Sequence, residues 1–161
     1  AVTFPKSVGQ IPFAFPFKPG SDESSETSVY GALYPFGHGL SYTTFQYSDL
    51  VISPSKQGVQ GNISISCTIK NIGQREGDEV VQLYLRDEVS SVTTYTQVLR
   101  GFERITLKPE ASHTVHFELT PQELGIWDKQ MNFTVEPGMF KVMIGSSSKD
   151  IRLKGEFEIA Q

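Results

Sequence analysis

At 161 residues and 38% hydrophobic content, the chain has material for one core of sandwich size plus extensions, and none for a membrane-spanning bundle. A formal net charge of −4, with no Lys/Arg cluster, excludes the basic surface that nucleic acid or an anionic bilayer requires, so neither is expected as a partner. The single cysteine, Cys67, excludes an intrachain disulfide and a cysteine metal cluster. No apolar run approaches the ~20 residues of a membrane span. Ala1 opens in mid-pattern without the charged start of a signal peptide, so the chain is expected to be cut from something longer.

Residues 1–19 read as a short extended segment followed by Pro12, Pro16 and Pro19 interleaved with Phe13, Phe15 and Phe17. Alternating Pro and Phe cannot form a helix. The stretch is expected to be an arm lying on an apolar surface, the alternative being a proline-rich ligand for an aromatic groove. Residues 20–28 are polar and acidic, with no large apolar group to fold around, and read as a surface loop. Then comes Tyr34-Pro35-Phe36-Gly37-His38-Gly39-Leu40-Ser41-Tyr42-Thr43-Thr44-Phe45. Pro35 fixes one φ angle, while Gly37 and Gly39 permit conformations that other residues resist. Too broken for a helix or strand and too apolar for a free linker, this stretch is expected to be a joint. Its Tyr34, Phe36, Leu40 and Tyr42 would pack between two bodies, and Phe45 would start the first strand of the second.

From Phe45 onward the hydrophobic period is two. Ile63, Ile65, Cys67 and Ile69 form one inner row, ended by Asn71-Ile72-Gly73. Val81, Leu83 and Leu85 form a second, with Gln82, Tyr84 and Arg86 on the polar face. Val115, Phe117 and Leu119 form a third. Met131, Phe133 and Val135 precede Pro137-Gly138, and Phe140, Val142 and Ile144 follow it, which predicts a hairpin. Ile151, Leu153, Phe157 and Ile159 complete the set. Phase shifts near Asp49 and Gly101 predict a bulge or a strand crossing between sheets at each place. Thr120-Pro121 is the signature of a capped helical turn over Pro121–Leu124. Seven or eight half-apolar strands bury their faces most simply as an all-β sandwich of two antiparallel sheets.

The joint motif resembles the segment that opens the C-terminal fibronectin type III-like domain of family 3 glycoside hydrolases, the β-glucosidase and β-xylosidase group. Upstream, Thr3-Phe4-Pro5-Lys6-Ser7-Val8-Gly9-Gln10-Ile11-Pro12 resembles the end of the α/β sandwich domain that precedes it in those enzymes. Further matches run through Gly101-Phe102, Leu124 to Asp128 and Pro137 to Ser147. The resemblance implies an arm and linker at 1–44 and an immunoglobulin-like fibronectin type III-like domain at 45–161. It implies a secreted or periplasmic parent enzyme that removes terminal β-linked sugars. This piece would be non-catalytic, its partners the parent's catalytic domains, and carbohydrate would reach it only through the parent. Interdomain packing is assigned to Tyr34, Phe36, His38, Leu40 and Tyr42.

Chemistry of its own would need particular groups. A retaining glycosidase uses two carboxyls about 5–5.5 Å apart. Adjacent Asp78-Glu79 and Asp87-Glu88 point to opposite faces of a strand and read as solvated strand ends. No catalytic residue, metal ligand or cofactor site is expected. His113 and His116 have helical metal-ligand spacing, but on a strand His116 faces outward and His113 joins the inner row. His38, between two glycines, reads as a packing or hydrogen-bonding group at the joint, the alternative being a ligand contact. Trp127, the only tryptophan, is expected to fill the core or cover its edge rather than to stack on sugar. Two rivals remain. A row of exposed aromatics on one sheet would favour a carbohydrate-binding module, and a long unpaired edge strand an adhesion or protein-interaction sandwich.

Overall fold

Strands with one apolar face lay those faces together, and the period-two rows assemble in this way. The structure, a computed structural model, describes residues 4–9, 15–19 and 31–161. In chain order its strands are β1 (Phe4–Pro5), β2 (Ala32–Tyr34), β3 (Phe45–Ser53), β4 (Lys56–Gly58), β5 (Ile63–Asn71), β6 (Gly77–Asp87), β7 (Val98–Leu107) and β8 (Ser112–Leu119). The helical turn α1 (Pro121–Leu124) follows, and then β9 (Ile126–Trp127), β10 (Phe133–Thr134), β11 (Gly138–Gly145) and β12 (Ile151–Ala160). A five-stranded sheet in the order β4-β12-β11-β6-β7 packs on a three-stranded sheet, β3-β5-β8. Between them lie Ile63, Ile65, Cys67 and Ile69 of β5, Val81 and Leu83 of β6, and Val142 and Ile144 of β11, all fully buried. Each such side chain stabilises the fold by roughly 1.5–3 kcal/mol. Burial also pushes the Cys67 thiol up to about 11, so it behaves as a small core residue.

Both phase shifts are bulges. Asp49 takes a φ of +53° where the β3–β5 register slips between Ser48 and Val51. In β7 the register against β6 slips between Leu83 and Tyr84, which pair with Gly101 and Leu99 and leave Arg100 as the extra residue. The second bulge breaks up a ten-residue edge strand, β7, whose Arg104 and Glu103 further discourage pairing with a foreign strand. Thr120 caps α1 as the sequence predicts. Its hydroxyl accepts from Gln122 N–H at 3.3 Å, and Glu123 accepts from Thr120 N–H at 2.9 Å.

Three expectations change. First, the main sheets are antiparallel except at one edge, where β4 runs parallel to β12 because the chain crosses from one sheet to the other after β3. Second, residues 131–135 do not form a hairpin with β11. Asp128 Oδ1 accepts from the N–H groups of Gln130 and Asn132 at 2.8 and 2.9 Å, which folds the chain back so that Phe133–Thr134 pairs with Ile126–Trp127. Met131, at a φ of +63°, sits exposed in that turn. Third, Gln82 and Tyr84 are not on a solvated face: both are buried, because chain from before Phe45 covers the outer side of β6.

Candidate interdomain contact site

The joint is stitched to β6 by hydrogen bonds that only its backbone shape allows. His38 N–H donates to Pro35 O at 3.0 Å, closing a turn with Gly37 at a φ of +78°. A Cβ on Gly37 would lie 2.0 Å from Gln82 Oε1, so space as well as conformation demands glycine. Gln82 Nε2 donates to Gly37 O at 3.1 Å and Ser146 O at 2.6 Å, and Gln82 Oε1 accepts from the Tyr84 hydroxyl at 2.5 Å. Ser148 N–H donates to Phe36 O at 2.9 Å. At the other end Thr43 Oγ1 donates to Asn71 Oδ1 at 2.7 Å. Asn71, fully buried, also accepts from Gly73 N–H at 3.0 Å and donates to Arg75 O and Leu107 O at 2.7 and 2.8 Å, so its amide is saturated.

Rings complete the attachment. Phe36 stacks on Phe15 at 4.5 Å between centroids, and Phe15 meets Tyr84 edge-on at 5.8 Å. Tyr34 stacks on His38 at 5.2 Å, with Phe4 edge-on to Tyr34 at 5.9 Å. The arm therefore lies on a ring surface through Phe15; Phe13 and the acidic loop at 20–28 lie outside the described residues. The five residues assigned to interdomain packing separate into three groups. Phe36 is half-buried under Phe15, Tyr34 and His38 form an exposed stacked pair, and Leu40 and Tyr42 stand open at 94% and 93% exposure.

Below the joint is a cleft of about 600 Å³, bordered by Phe36, His38 and Leu40 on one side and Val80, Gln82 and Phe102 on the other. Its carboxylates are engaged. Asp78 accepts from Thr106 Oγ1 at 2.6 Å and from Arg104, and these bonds hold it below the usual carboxylate range. Asp150 is lowered by Arg152, whose Nε and Nη2 donate at 2.5 and 2.6 Å, and it accepts from Ser146 Oγ at 2.7 Å. Glu79 departs from the solvated-end reading. It continues the inner row of Val81 and Leu83, is half-buried, accepts from Tyr47 OH at 2.6 Å, and is pushed up mainly by burial. These groups act as hydrogen-bonding struts of the fold. His113 stands at the start of the inner row of β8, opposite Ile69, where the sheets open to solvent and its ring lies 3.5 Å from Glu103. Among the described residues no three His, Cys, Asp or Glu side chains gather as a metal ligand set, and no helix is long and apolar enough to cross a membrane.

Sequence reasoning missed Gln82 and Asn71 as ties. Glu79 was visible as a carboxylate in phase with an apolar row, whereas no local signal marks Gln82, whose partners are 45 and 64 residues away. Trp127 does not fill the core: it is 59% exposed at the core's edge, near Leu124 and Phe140, with Phe133 edge-on at 5.5 Å.

A two-sheet antiparallel sandwich with an aromatic joint on its flank belongs to the immunoglobulin-like class of β-domains. Residues 79–148 match the family model described as the fibronectin type III-like domain. The chain is 41% identical to a periplasmic β-glucosidase of Salmonella typhimurium, over 98% of its own length and 22% of that protein's. It is 41% identical to a β-xylosidase of Formosa agariphila over 95% of its length and 22% of that protein's. Among solved structures, a β-glucosidase from Erythrobacter marinus superposes with a TM-score of 0.90 at 34% identity, covering 98% of this chain and 21% of that one. The chain spans about a fifth of the length of the curated relatives it matches. It is thus a fibronectin type III-like domain of the kind found in family 3 β-glucosidases and β-xylosidases.

Proposed function

We propose that this chain is the non-catalytic C-terminal domain of a larger β-glucosidase-like enzyme, which removes terminal β-linked sugars from glycosides, and that it stabilises the arrangement of the catalytic domains. Residues 45–161 are the domain proper. Residues 1–44 are the arm and linker from the end of a preceding α/β sandwich domain. The partners are the catalytic domains of the same chain, with neither nucleic acid nor membrane among them, and the parent is secreted or periplasmic. The identity to a protein named as periplasmic supports that location.

One observation carries the reading. The joint backbone is pinned by Gln82 of β6 and by Ser148 of the β11–β12 connection, yet it holds Leu40 and Tyr42 almost wholly in water beside the cleft. A rigid turn that presents two large apolar side chains is arranged to be covered. Phe36 supplies the test, because Phe15 stacks on its ring and leaves it partly buried. Phe36→Ala should cost this chain about 1 kcal/mol and the full parent about 3 kcal/mol or more, the scale of a fully buried phenylalanine. Unfolding measured in both contexts decides the matter, and equal losses would refute the contact.

A further inference from the structure

A second cavity of about 240 Å³ opens between the β6–β7 connection and α1. Its floor is apolar, with Leu124 and Phe140 almost fully buried. Its rim is of a different character. Trp127 and Tyr95 border it at 59% and 43% exposure, and Phe133 braces the indole edge-on. Arg100, the extra residue of the β7 bulge, feels the Glu123 carboxylate electrostatically, but its guanidinium makes no hydrogen bond with any described residue. Asp87 spends one oxygen on Val89 N–H at 3.2 Å, and the other has no hydrogen-bond partner among the described residues. Flanking interactions fix these groups in place. Thr120 holds Glu123, and Glu136 accepts from Ser91 N–H at 2.7 Å, tying down the connection that supplies Tyr95.

A ligand for such a rim needs an aliphatic face to lie on an indole. It also needs an edge that both accepts from a guanidinium fork and donates to a carboxylate. Adjacent hydroxyl groups do both. Phosphates and other anions are disfavoured by Asp87 and Glu123, and a purely apolar ligand would leave the fork and the carboxylate desolvated and unpaired. A ring with C–H groups on its faces and hydroxyls around its edge is a pyranose. The volume lies below the ~300–1,000 Å³ of pockets for drug-sized ligands, which limits the occupant to one ring.

The geometry points to a monosaccharide-binding site for one neutral pyranoside unit, with Trp127 as platform, Arg100 as donor to its hydroxyls and Asp87 as acceptor. It shares no lining residue with the joint cleft. It would give the domain a carbohydrate contact of its own, which a purely scaffolding role does not include.

Because Trp127 is the sole tryptophan, fluorescence excited beyond the tyrosine absorption band reports on this site. Methyl β-D-glucopyranoside and methyl β-D-xylopyranoside should produce a saturable change at millimolar concentration, and cyclohexanol, lacking the hydroxyl edge, should not. Arg100→Met and Asp87→Asn should each weaken binding about tenfold, the effect of losing one hydrogen bond to a charged group. Arg100 is exposed, so its variant retains the fold and keeps the test decisive even if Asp87→Asn is destabilised. No saturable change with either glycoside, or affinity unaltered in Arg100→Met, would overturn the site.

Discussion

β5 and β6 both run through the middle of a sheet, yet they are buried in different ways. In β5, buried Ile63, Ile65, Cys67 and Ile69 alternate with more accessible residues along the whole strand. In β6, five consecutive residues from Val81 to Leu85 are buried. The second face of β5 is left to water and to its own polar side chains. The second face of β6 is closed by Phe15, Phe36 and the Gly37 turn, which come from a different part of the chain. The comparison teaches that inner faces are specified by strand period, while an outer face is covered by whatever chain is pinned over it.

The largest break in that comparison comes from the inner face. Ile65→Ala should lower unfolding free energy by about 2–5 kcal/mol, measured by urea denaturation, because the close-packed sheets cannot collapse onto the gap. A loss below 1 kcal/mol would mean that the row is not the packed core. Next comes the outer face of β6. Gln82→Ala removes one side chain but leaves Gly37 O, Ser146 O and the Tyr84 hydroxyl each short of a partner, so a loss of about 1–3 kcal/mol is expected. The same substitution should speed exchange of the Ser148 amide, which depends on the joint staying docked at Phe36 O. Unchanged exchange would show that the joint is held by its rings alone.

The smallest effect lies at the end of β6. Burial pushes the Asp87 carboxyl up to about 6 from an ordinary 3.8, assisted by Glu136 and Glu88 and opposed by the Val89 N–H. The folded state therefore binds this proton more tightly than the unfolded state between those values. By linkage, stability falls as pH rises from about 4 to about 6, and the Asp87 contribution is constant outside that window. Because the group is partly open to solvent, the slope should be modest. It should be visible as the difference between the pH–stability curves of the parent sequence and Asp87→Asn, the variant lacking the decline. Parallel curves would show that Asp87 ionises as it does in water.

The two faces also differ in how far the sequence disclosed them. Inner rows were legible because an apolar residue at every second position has one explanation in a strand, and both bulges were legible because each interrupts that rhythm. The cap on α1 was equally local, Thr120 and Pro121 being neighbours. Gln82 looked like an ordinary solvent-facing residue, since nothing within ten positions of it carries the carbonyls it bonds. The failed hairpin has a related cause. Met131, Phe133 and Val135 have strand periodicity, but Asp128 captures two backbone N–H groups before that segment can reach β11. For Trp127 the apolar neighbours were real and the ring still faces outward, because Leu124 already occupies the core position beside it.

The parallel seam between β4 and β12 governs the order in which the molecule can be completed. Lys56 finds Glu158, 102 residues later, at 2.8 Å, and the three residues of β4 pair with Glu158, Ile159 and Ala160. At synthesis rates of ~5–20 residues per second, about 5–20 s separate the emergence of the two strands from the ribosome. Throughout that interval β4 lacks its partner, and β11, once made, still lacks the strand that will lie between it and β4. The nascent chain must wait with β3, β5 and β8 able to pair while the larger sheet stands open on one side. A ribosome-stalled chain ending before residue 151 would therefore be a half-closed sandwich, and a natural client for a chaperone that recognises unpaired strands.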